Sequence, residues 1–181
     1  FLPSLNLKYN LTSKQAFRLG ASKTYTLPQP KEISPYRYVG VNFNSQGNEE
    51  LQPSDNYNLD LKWDFNPTPT ELVSLTAFYK YIKNPISRIE VASAGNYLSY
   101  ENISDHATVA GVELEVRKNL FTRPAGKGTS GMNRLSVGFN GSYIYTHAKV
   151  PGATVTTGSQ LEGAAPWIVN FDISHNYTSG D

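Results

Sequence analysis

The stretch YNLDLKWDF at residues 57–65 alternates strictly between apolar and polar side chains. Successive side chains of an extended chain point to opposite sides, so this pattern predicts a β-strand with two chemically different faces. The apolar face either packs on a protein core while the polar face meets water, or meets lipid while the polar face lines a lumen. The choice between these arrangements decides what kind of protein this is.

Six further segments repeat the alternation, and we find no segment of comparable length with helical spacing. They cover residues 5–11, 16–26, 73–81, 107–118, 134–146 and 167–177. We therefore predict an all-β chain, an antiparallel up-and-down meander of about seven long strands.

The predicted connections differ in length according to the side of the sheet on which they lie. Tight links at residues 12–15 and 67–71 follow the first and third strands, whereas long links at 27–56 and 147–166 follow the second and sixth. Short turns on one side and long loops on the other are typical of outer-membrane barrels.

Two further links do not fit this simple scheme. The fifth, residues 122–133, lies on the short-turn side but is longer than the other two there. The fourth contains residues 88–91 and 97–101, which flank the turn-like stretch 93–96. We expect these residues to form a long hairpin that projects beyond the apolar band.

Large aromatic residues are concentrated at the two ends of the predicted strands. Those at the long-loop ends are Tyr25, Tyr57, Tyr81, Tyr145 and Trp167, and those at the short-turn ends are Phe17, Trp63, Phe65 and Tyr177. Two aromatic belts separated by aliphatic positions match the profile of a bilayer. The segments also reach the roughly 9 to 11 residues that a strand needs to cross a membrane. We therefore expect the apolar face to meet lipid, and the all-β meander to form an incomplete part of a transmembrane β-barrel.

This assignment gives each face of the sheet its own set of residues. The residues expected to face lipid are Leu59, Leu61, Trp63, Phe65, Leu75, Tyr79, Val137, Phe139, Trp167 and Phe171. Those expected to face the lumen are Arg18, Asp60, Lys62, Asp64, Lys80, Glu113, Glu115, Arg117, Arg134 and Asp172. Charges of mixed sign would either pair across strands to stabilise a wet wall or contact an interior domain or a transport path.

The long loop at residues 27–56 carries the candidates for ligand contact. Tyr36, Arg37, Tyr38 and Phe43 cluster there, and surfaces that combine aromatic side chains with arginine suit binding. The alternative is that the prolines of this loop simply shape a rim. The long loop at 147–166 is the second candidate segment.

Composition and motifs argue against several other functions. The 16 basic residues barely exceed the 15 acidic ones, which gives no surplus for nucleic acid, and the absence of cysteine excludes thiol catalysis. The stretch GKGTSG at 126–131 has the glycine spacing of a dinucleotide-binding loop, but a strand-like segment follows it instead of a helix. His106, His147 and His175 are dispersed, and no nucleophile elbow is present. We expect no cofactor, no metal site and no enzymatic activity.

Five stretches join a strand to its loop in a recurring order: residues 2–36, 47–65, 75–88, 109–120 and 161–174. Together they resemble the barrel of TonB-dependent outer-membrane receptors, especially those of Bacteroidetes. The resemblance implies a barrel of about 22 strands with a plug domain in its lumen, importing a scarce nutrient with energy from an inner-membrane complex. The implied partners are outer-membrane lipid, the receptor's own plug, the TonB complex and a nutrient such as a siderophore or a glycan. The implied location is the bacterial outer membrane.

Seven strands are too few to close such a barrel, and an open edge in lipid would leave backbone groups unpaired. We therefore expect residues 1–181 to be an internal piece of a longer receptor, with the plug and the remaining strands outside it. Two alternatives stay open, because a sandwich alternates as well. One is a soluble β-sandwich adhesin or carbohydrate-binding module, and the other is a pore or structural barrel without TonB.

Overall fold

The computed structural model describes residues 1–41, 44–91, 97–104, 106–124, 131–148 and 165–178. The elements are β1 (Ser4–Asn10), β2 (Gln15–Thr26), α1 (Pro30–Ile33), β3 (Arg37–Val39), β4 (Asn44–Gln46), β5 (Ser54–Phe65), β6 (Leu72–Lys83), β7 (Ile86–Val91), β8 (Tyr97–Asn102), β9 (His106–Pro124), β10 (Met132–Ala148) and β11 (Trp167–Thr178). No helix among these residues is long and apolar enough to cross a membrane.

Seven long strands form one antiparallel sheet in the order β1-β2-β5-β6-β9-β10-β11. Each of the seven alternating segments is one of these strands, so the predicted all-β meander is confirmed. Successive long strands are neighbours throughout, and β1 and β11 form the two edges. The described residues therefore make an open stretch of wall.

The pairing register keeps the alternation of each strand in phase with that of its neighbours. Leu61 pairs with Leu19 on one side and Ala77 on the other, whereas Lys62 pairs with Arg18 and Thr76. Paired residues of an antiparallel sheet point to the same side. The ten residues expected to face lipid therefore share one face of the sheet, and the ten charged residues share the other. What each face meets stays a prediction.

The apolar face carries no second layer in the described part of the chain. Leu61 and Phe171 are 50% and 66% exposed. A small buried cluster of Ile103, Ala107 and Ala148 lies instead at the long-loop end of the sheet. A sandwich would place such faces against each other in a core, so the arrangement does not favour the soluble alternative. An uncovered apolar face of this extent is typical of a membrane or protein interface.

Two of the long connections together form a four-stranded sheet, which we call the loop sheet, in the order β3-β4-β8-β7. The antiparallel pair β7–β8 is the hairpin predicted from the sequence. Strands β4 and β8 come from different connections and pair in parallel. The Asn48 side-chain amide donates to the Tyr100 carbonyl at 3.0 Å, and the Gln52 backbone N–H donates to Asn102 Oδ1 at 2.9 Å. These bonds tie the two connections to each other.

Strands β9 and β10 are longer than predicted, which shortens the link between them. β9 continues to Pro124 and β10 begins at Met132, so part of the predicted link belongs to the sheet. A shift of one residue in their register makes Leu120 the extra residue of a β-bulge. Without this bulge Phe121 would point to the polar face, and with it Phe121 stays on the apolar face.

Candidate ligand-binding site

A pocket of about 510 Å³ lies where the polar face of the long sheet meets the loop sheet. We call it the mouth pocket. Its size falls within the range of about 300–1,000 Å³ that is usual for small-molecule sites. The polar and charged side chains that line it include Thr26, Lys31, Ser54, Asn56, Arg88 and Tyr100. The long sheet, the helix α1 and the loop sheet all contribute to its wall.

Hydrogen bonds fix the floor of the mouth pocket. Asn56 Nδ2 donates to Thr26 Oγ1 at 3.0 Å, and Ser54 Oγ donates to the Asn84 carbonyl at 2.7 Å. Asn84 has a φ of 52°, in the left-handed region that Asn tolerates better than most residues. Asn102 Nδ2 donates to the same carbonyl at 2.9 Å, so the turn from β6 into β7 is held from two sides. The floor is therefore formed before any ligand arrives.

The charges around the mouth pocket favour an anionic ligand. Lys31 and Arg88 contribute cations, and Glu32 is the one carboxylate among the described residues that line the pocket. Glu32 Oε2 accepts a hydrogen bond from the Gln29 backbone N–H at 2.8 Å. This bond uses the carboxylate to satisfy a free N–H at the start of α1. Lys31 alone balances the charge of Glu32, and a pocket whose lining includes two cationic side chains favours a ligand that carries negative charge.

Of the loop candidates named from the sequence, Tyr36, Arg37 and Tyr38 do not line this pocket. The Arg37 guanidinium lies 5.5 Å from the centre of the Tyr97 ring. Tyr36 and Tyr38 are 74% and 50% exposed, at the β3 edge of the loop sheet. Phe43 lies outside the described residues, as do residues 149–164 of the second candidate loop and residues 126–130 of the glycine-rich stretch.

Sequence reasoning missed the mouth pocket, although part of its floor was readable. Ser54 and Asn56 continue the even-numbered polar set of β5, which places them on the polar face. The alternation does not reveal that Arg88 and Tyr100 lie near them. That proximity depends on β4 and β8 pairing across two connections.

Five of the ten charged residues predicted for the polar face form ion pairs with one another in the described part of the chain. The Asp64 side chain is only 9% exposed. It accepts a hydrogen bond from Arg18 Nε at 3.0 Å, and Lys62 Nζ lies 3.7 Å from its other oxygen. Arg117 Nη2 lies 2.8 Å from Glu115 Oε1. Asp60, Lys80 and Glu113 lie on the same face, where Glu113 accepts a hydrogen bond from the Asn140 amide. Pairing alone can explain the charges of the five residues in these ion pairs.

A second concavity, of about 380 Å³, lies near the short-turn end of the polar face. Arg117, Arg134 and Asp172 contribute to its lining. A Cβ atom at Gly138 would collide with the Asp172 carboxylate, so glycine provides the space for that side chain. Arg134 Nε is buried without a hydrogen-bond partner among the described residues. Within the described ranges, no group of three or more His, Asp or Glu residues is placed to hold a metal ion.

These features define a segment of antiparallel barrel wall, with an uncovered apolar side and a polar side that ends in a loop-covered mouth. Residues 1–181 match the family described as TonB dependent receptor-like, beta-barrel, and the chain belongs to this family. The family consists of receptors and transporters of the bacterial outer membrane, and this barrel segment is located there.

The chain is also similar to individual proteins. It is 26% identical over 159 residues to the iron-regulated outer membrane virulence protein of Vibrio cholerae serotype O1. The matched region covers 82% of this chain and 22% of that protein. The siderophore receptor PirA from Pseudomonas aeruginosa is 20% identical with a TM-score of 0.55, over 79% of this chain and 30% of that one. A mutant of the ferric enterobactin receptor PfeA from the same organism is 24% identical with a TM-score of 0.53, over 82% and 22%.

At 20% and 24% identity, the two solved structures show that the fold is shared and nothing further. The chain spans less than a third of the length of each of these three proteins.

Proposed function

We propose that this chain is part of the wall of an outer-membrane receptor that binds a scarce nutrient and imports it with TonB-derived energy. The mouth pocket is the observation that carries the proposal. It opens on the polar side of the sheet, beneath loops that in such barrels face the outside of the cell. The apolar face then meets lipid and the charged face lines the lumen, as expected from the alternation.

We propose an anionic iron chelate, a siderophore, as the nutrient, in preference to a neutral glycan. Lys31 and Arg88 at the mouth pocket support an anion, because ferric catecholate complexes carry negative charge. The similar proteins support the same class of ligand, because they are an iron-regulated outer membrane virulence protein, a siderophore receptor and a ferric enterobactin receptor. Tyr36, Arg37, Tyr38 and Phe43 would make the first contacts at the edge of the loops.

Pocket variants of the complete receptor test the ligand class. We would express it in a strain without other iron receptors and measure uptake of radioactive iron as a ferric catecholate. Replacing Lys31→Gln and Arg88→Gln should raise the half-saturating concentration at least about tenfold, since one charge-assisted hydrogen bond contributes about 1.5 kcal/mol. Lys14→Gln, in the turn between β1 and β2, is the control and should leave uptake unchanged.

The possible results separate the ligand from the site. Unchanged half-saturation in the double variant, at equal surface abundance, would show that the mouth pocket does not bind the chelate. Growth on a glycan without any iron uptake would replace the siderophore by a glycan and leave the receptor assignment standing.

The larger receptor is also part of the proposal. Seven strands need partners at both edges of the sheet, so the parent polypeptide would supply further strands, the plug domain and the segment that contacts TonB. We place the receptor in the Bacteroidetes branch and expect no enzymatic activity. Sequencing the coding region on both sides tests the organisation: we expect a plug-sized domain upstream and more alternating strands downstream. A start codon and a stop codon at the two ends would contradict it.

A further inference from the structure

Asn48 lies between the two connections that carry the cations of the mouth pocket. Lys31 is on α1, in the connection from β2 to β5, whereas Arg88 is on β7, in the connection from β6 to β9. Neither cation belongs to a strand of the long sheet. The position of one cation relative to the other therefore depends on contacts between the two connections.

The backbone at residues 47 and 48 holds the helix α1. The Asn48 N–H donates a hydrogen bond to the Glu32 carbonyl at 2.6 Å. A Cβ atom at Gly47 would collide with the carbonyls of Ser34 and Glu32, so glycine allows this close approach. Lys31 directly precedes Glu32 in the chain, so these contacts fix the segment that carries the first cation.

The side chain of Asn48 reaches the other connection. Its Nδ2 donates to the Tyr100 carbonyl on β8 at 3.0 Å, and its Oδ1 accepts from the Glu50 N–H at 3.0 Å. The second bond closes a turn of the kind that asparagine favours, and it fixes the direction of the side chain. Tyr100 is the register partner of Arg88, and both line the mouth pocket. One asparagine therefore joins the segment of Lys31 to the strand pair of Arg88.

Other contacts keep the loop sheet together without the Asn48 side chain. Asn44 and Ser45 of β4 pair with β8, and the Asn102 side chain exchanges two hydrogen bonds with the backbone of Gln52. Loss of the Asn48 side-chain bond should therefore loosen α1 relative to β8 and leave the loop sheet folded.

A ligand with several negative charges gains most when both cations are already in place. Ordering a loop at the moment of binding costs free energy, and contacts that exist beforehand remove this cost. We propose that Asn48 is a positioning residue of the mouth pocket, which holds Lys31 and Arg88 at the separation at which both meet one anionic ligand. This inference rests on the proposed function, in which that ligand is a ferric catecholate.

The first measurement needs no ligand. Residues 1–181 contain no cysteine, so Ile33→Cys on α1 and Glu90→Cys on β7, in a complete receptor otherwise free of cysteine, give one pair of spin labels. Both positions are exposed. Electron paramagnetic resonance should show a narrow distribution of distances between the labels, and a broader one after Asn48→Ser. The serine hydroxyl can still accept from the Glu50 N–H but is too short to reach the Tyr100 carbonyl.

The second measurement is equilibrium titration of the purified complete receptor with a ferric catecholate. Lys31→Gln should weaken binding about tenfold in the wild type and at most about twofold together with Asn48→Ser, because a loosened α1 no longer holds its cation in place. Arg88→Gln should weaken binding by the same factor with and without Asn48→Ser. Asn119→Ser is the matched control, because this asparagine donates to Thr70 Oγ1 at 2.7 Å at the short-turn end of the sheet. It should leave the effect of Lys31→Gln unchanged.

An equally narrow distance distribution after Asn48→Ser overturns the inference, whatever the ligand is. An equal effect of Lys31→Gln with and without Asn48→Ser also overturns it, even if Asn48→Ser lowers the affinity, since the asparagine would then have a structural role only. A receptor in which neither Lys31→Gln nor Arg88→Gln alters catecholate binding fails the proposed ligand site. The distance measurement then decides by itself whether Asn48 positions α1.

Discussion

Leu61 lies midway between the aromatic ends of β5, at Tyr57 and Phe65, and its side chain is 50% exposed on the apolar face. At about 3.3 Å per residue and a tilt of about 45°, the eight residue-to-residue steps from Tyr57 to Phe65 span about 19 Å of membrane depth. Leu61 is then about 9 Å from either belt, close to the bilayer midplane. An arginine at the midplane on the lipid face of a barrel costs about 2–4 kcal/mol, whereas an exposed change in water alters stability by about 0.5 kcal/mol. Leu61→Arg therefore tests directly what the apolar face meets.

The assay is guanidinium unfolding of the complete receptor in lipid vesicles, followed by tryptophan fluorescence. Thr76→Arg is the matched control, because Thr76 lies at nearly the same height on the opposite face, between Lys62 and Glu113. We expect the free energy of unfolding to fall by about 2–4 kcal/mol for Leu61→Arg and by less than about 1 kcal/mol for Thr76→Arg. A tolerated arginine at Leu61, or the larger loss at Thr76, would refute the assignment of the faces.

Two further predictions concern the ends of the sheet. At the short-turn end, the Lys118 ammonium, 3.0 Å from the Glu71 carboxylate, holds the pKa of that carboxyl below its ordinary value of 4.5. The contact therefore stabilises the turn above pH 4.5, and this stabilisation is lost as the pH falls through the lowered pKa. The Asn119 backbone amide donates to Glu71, so its hydrogen-exchange rate should rise over the same pH range. Glu71→Gln should abolish this pH dependence of the exchange rate. A pH-independent exchange ratio between wild type and variant would contradict the contact. At the long-loop end, a Cβ atom at Gly47 would collide with the Ser34 carbonyl. Gly47→Ala should therefore weaken ligand binding, measured by ligand titration. It should leave barrel folding unchanged, measured by heat-modifiable gel mobility. Gly20→Ala is its control, because the nearest atom there is 3.5 Å away; equal binding by both variants would show that the loop tolerates the change.

The seven long strands could be predicted from sequence because strand alternation is a local property. Odd and even positions along a strand point to opposite faces. The face of each side chain in segments such as 57–65 and 167–177 can therefore be read from the sequence without knowing which strand pairs with it. The difference in length between the two sets of connections is likewise visible in the sequence. The short elements α1, β3 and β4 were missed, because three or four residues are too few to show a period.

The chain by itself therefore determined a two-faced wall with loops of unequal length. Only the tertiary structure decided that β4 pairs with β8, that Glu71 meets Lys118, and that Lys23 pairs with Asp55. Each of these contacts joins residues that are distant along the chain. Their formation depends on the register of intervening strands, and a periodic pattern fixes the face of a residue but not its neighbour across the sheet.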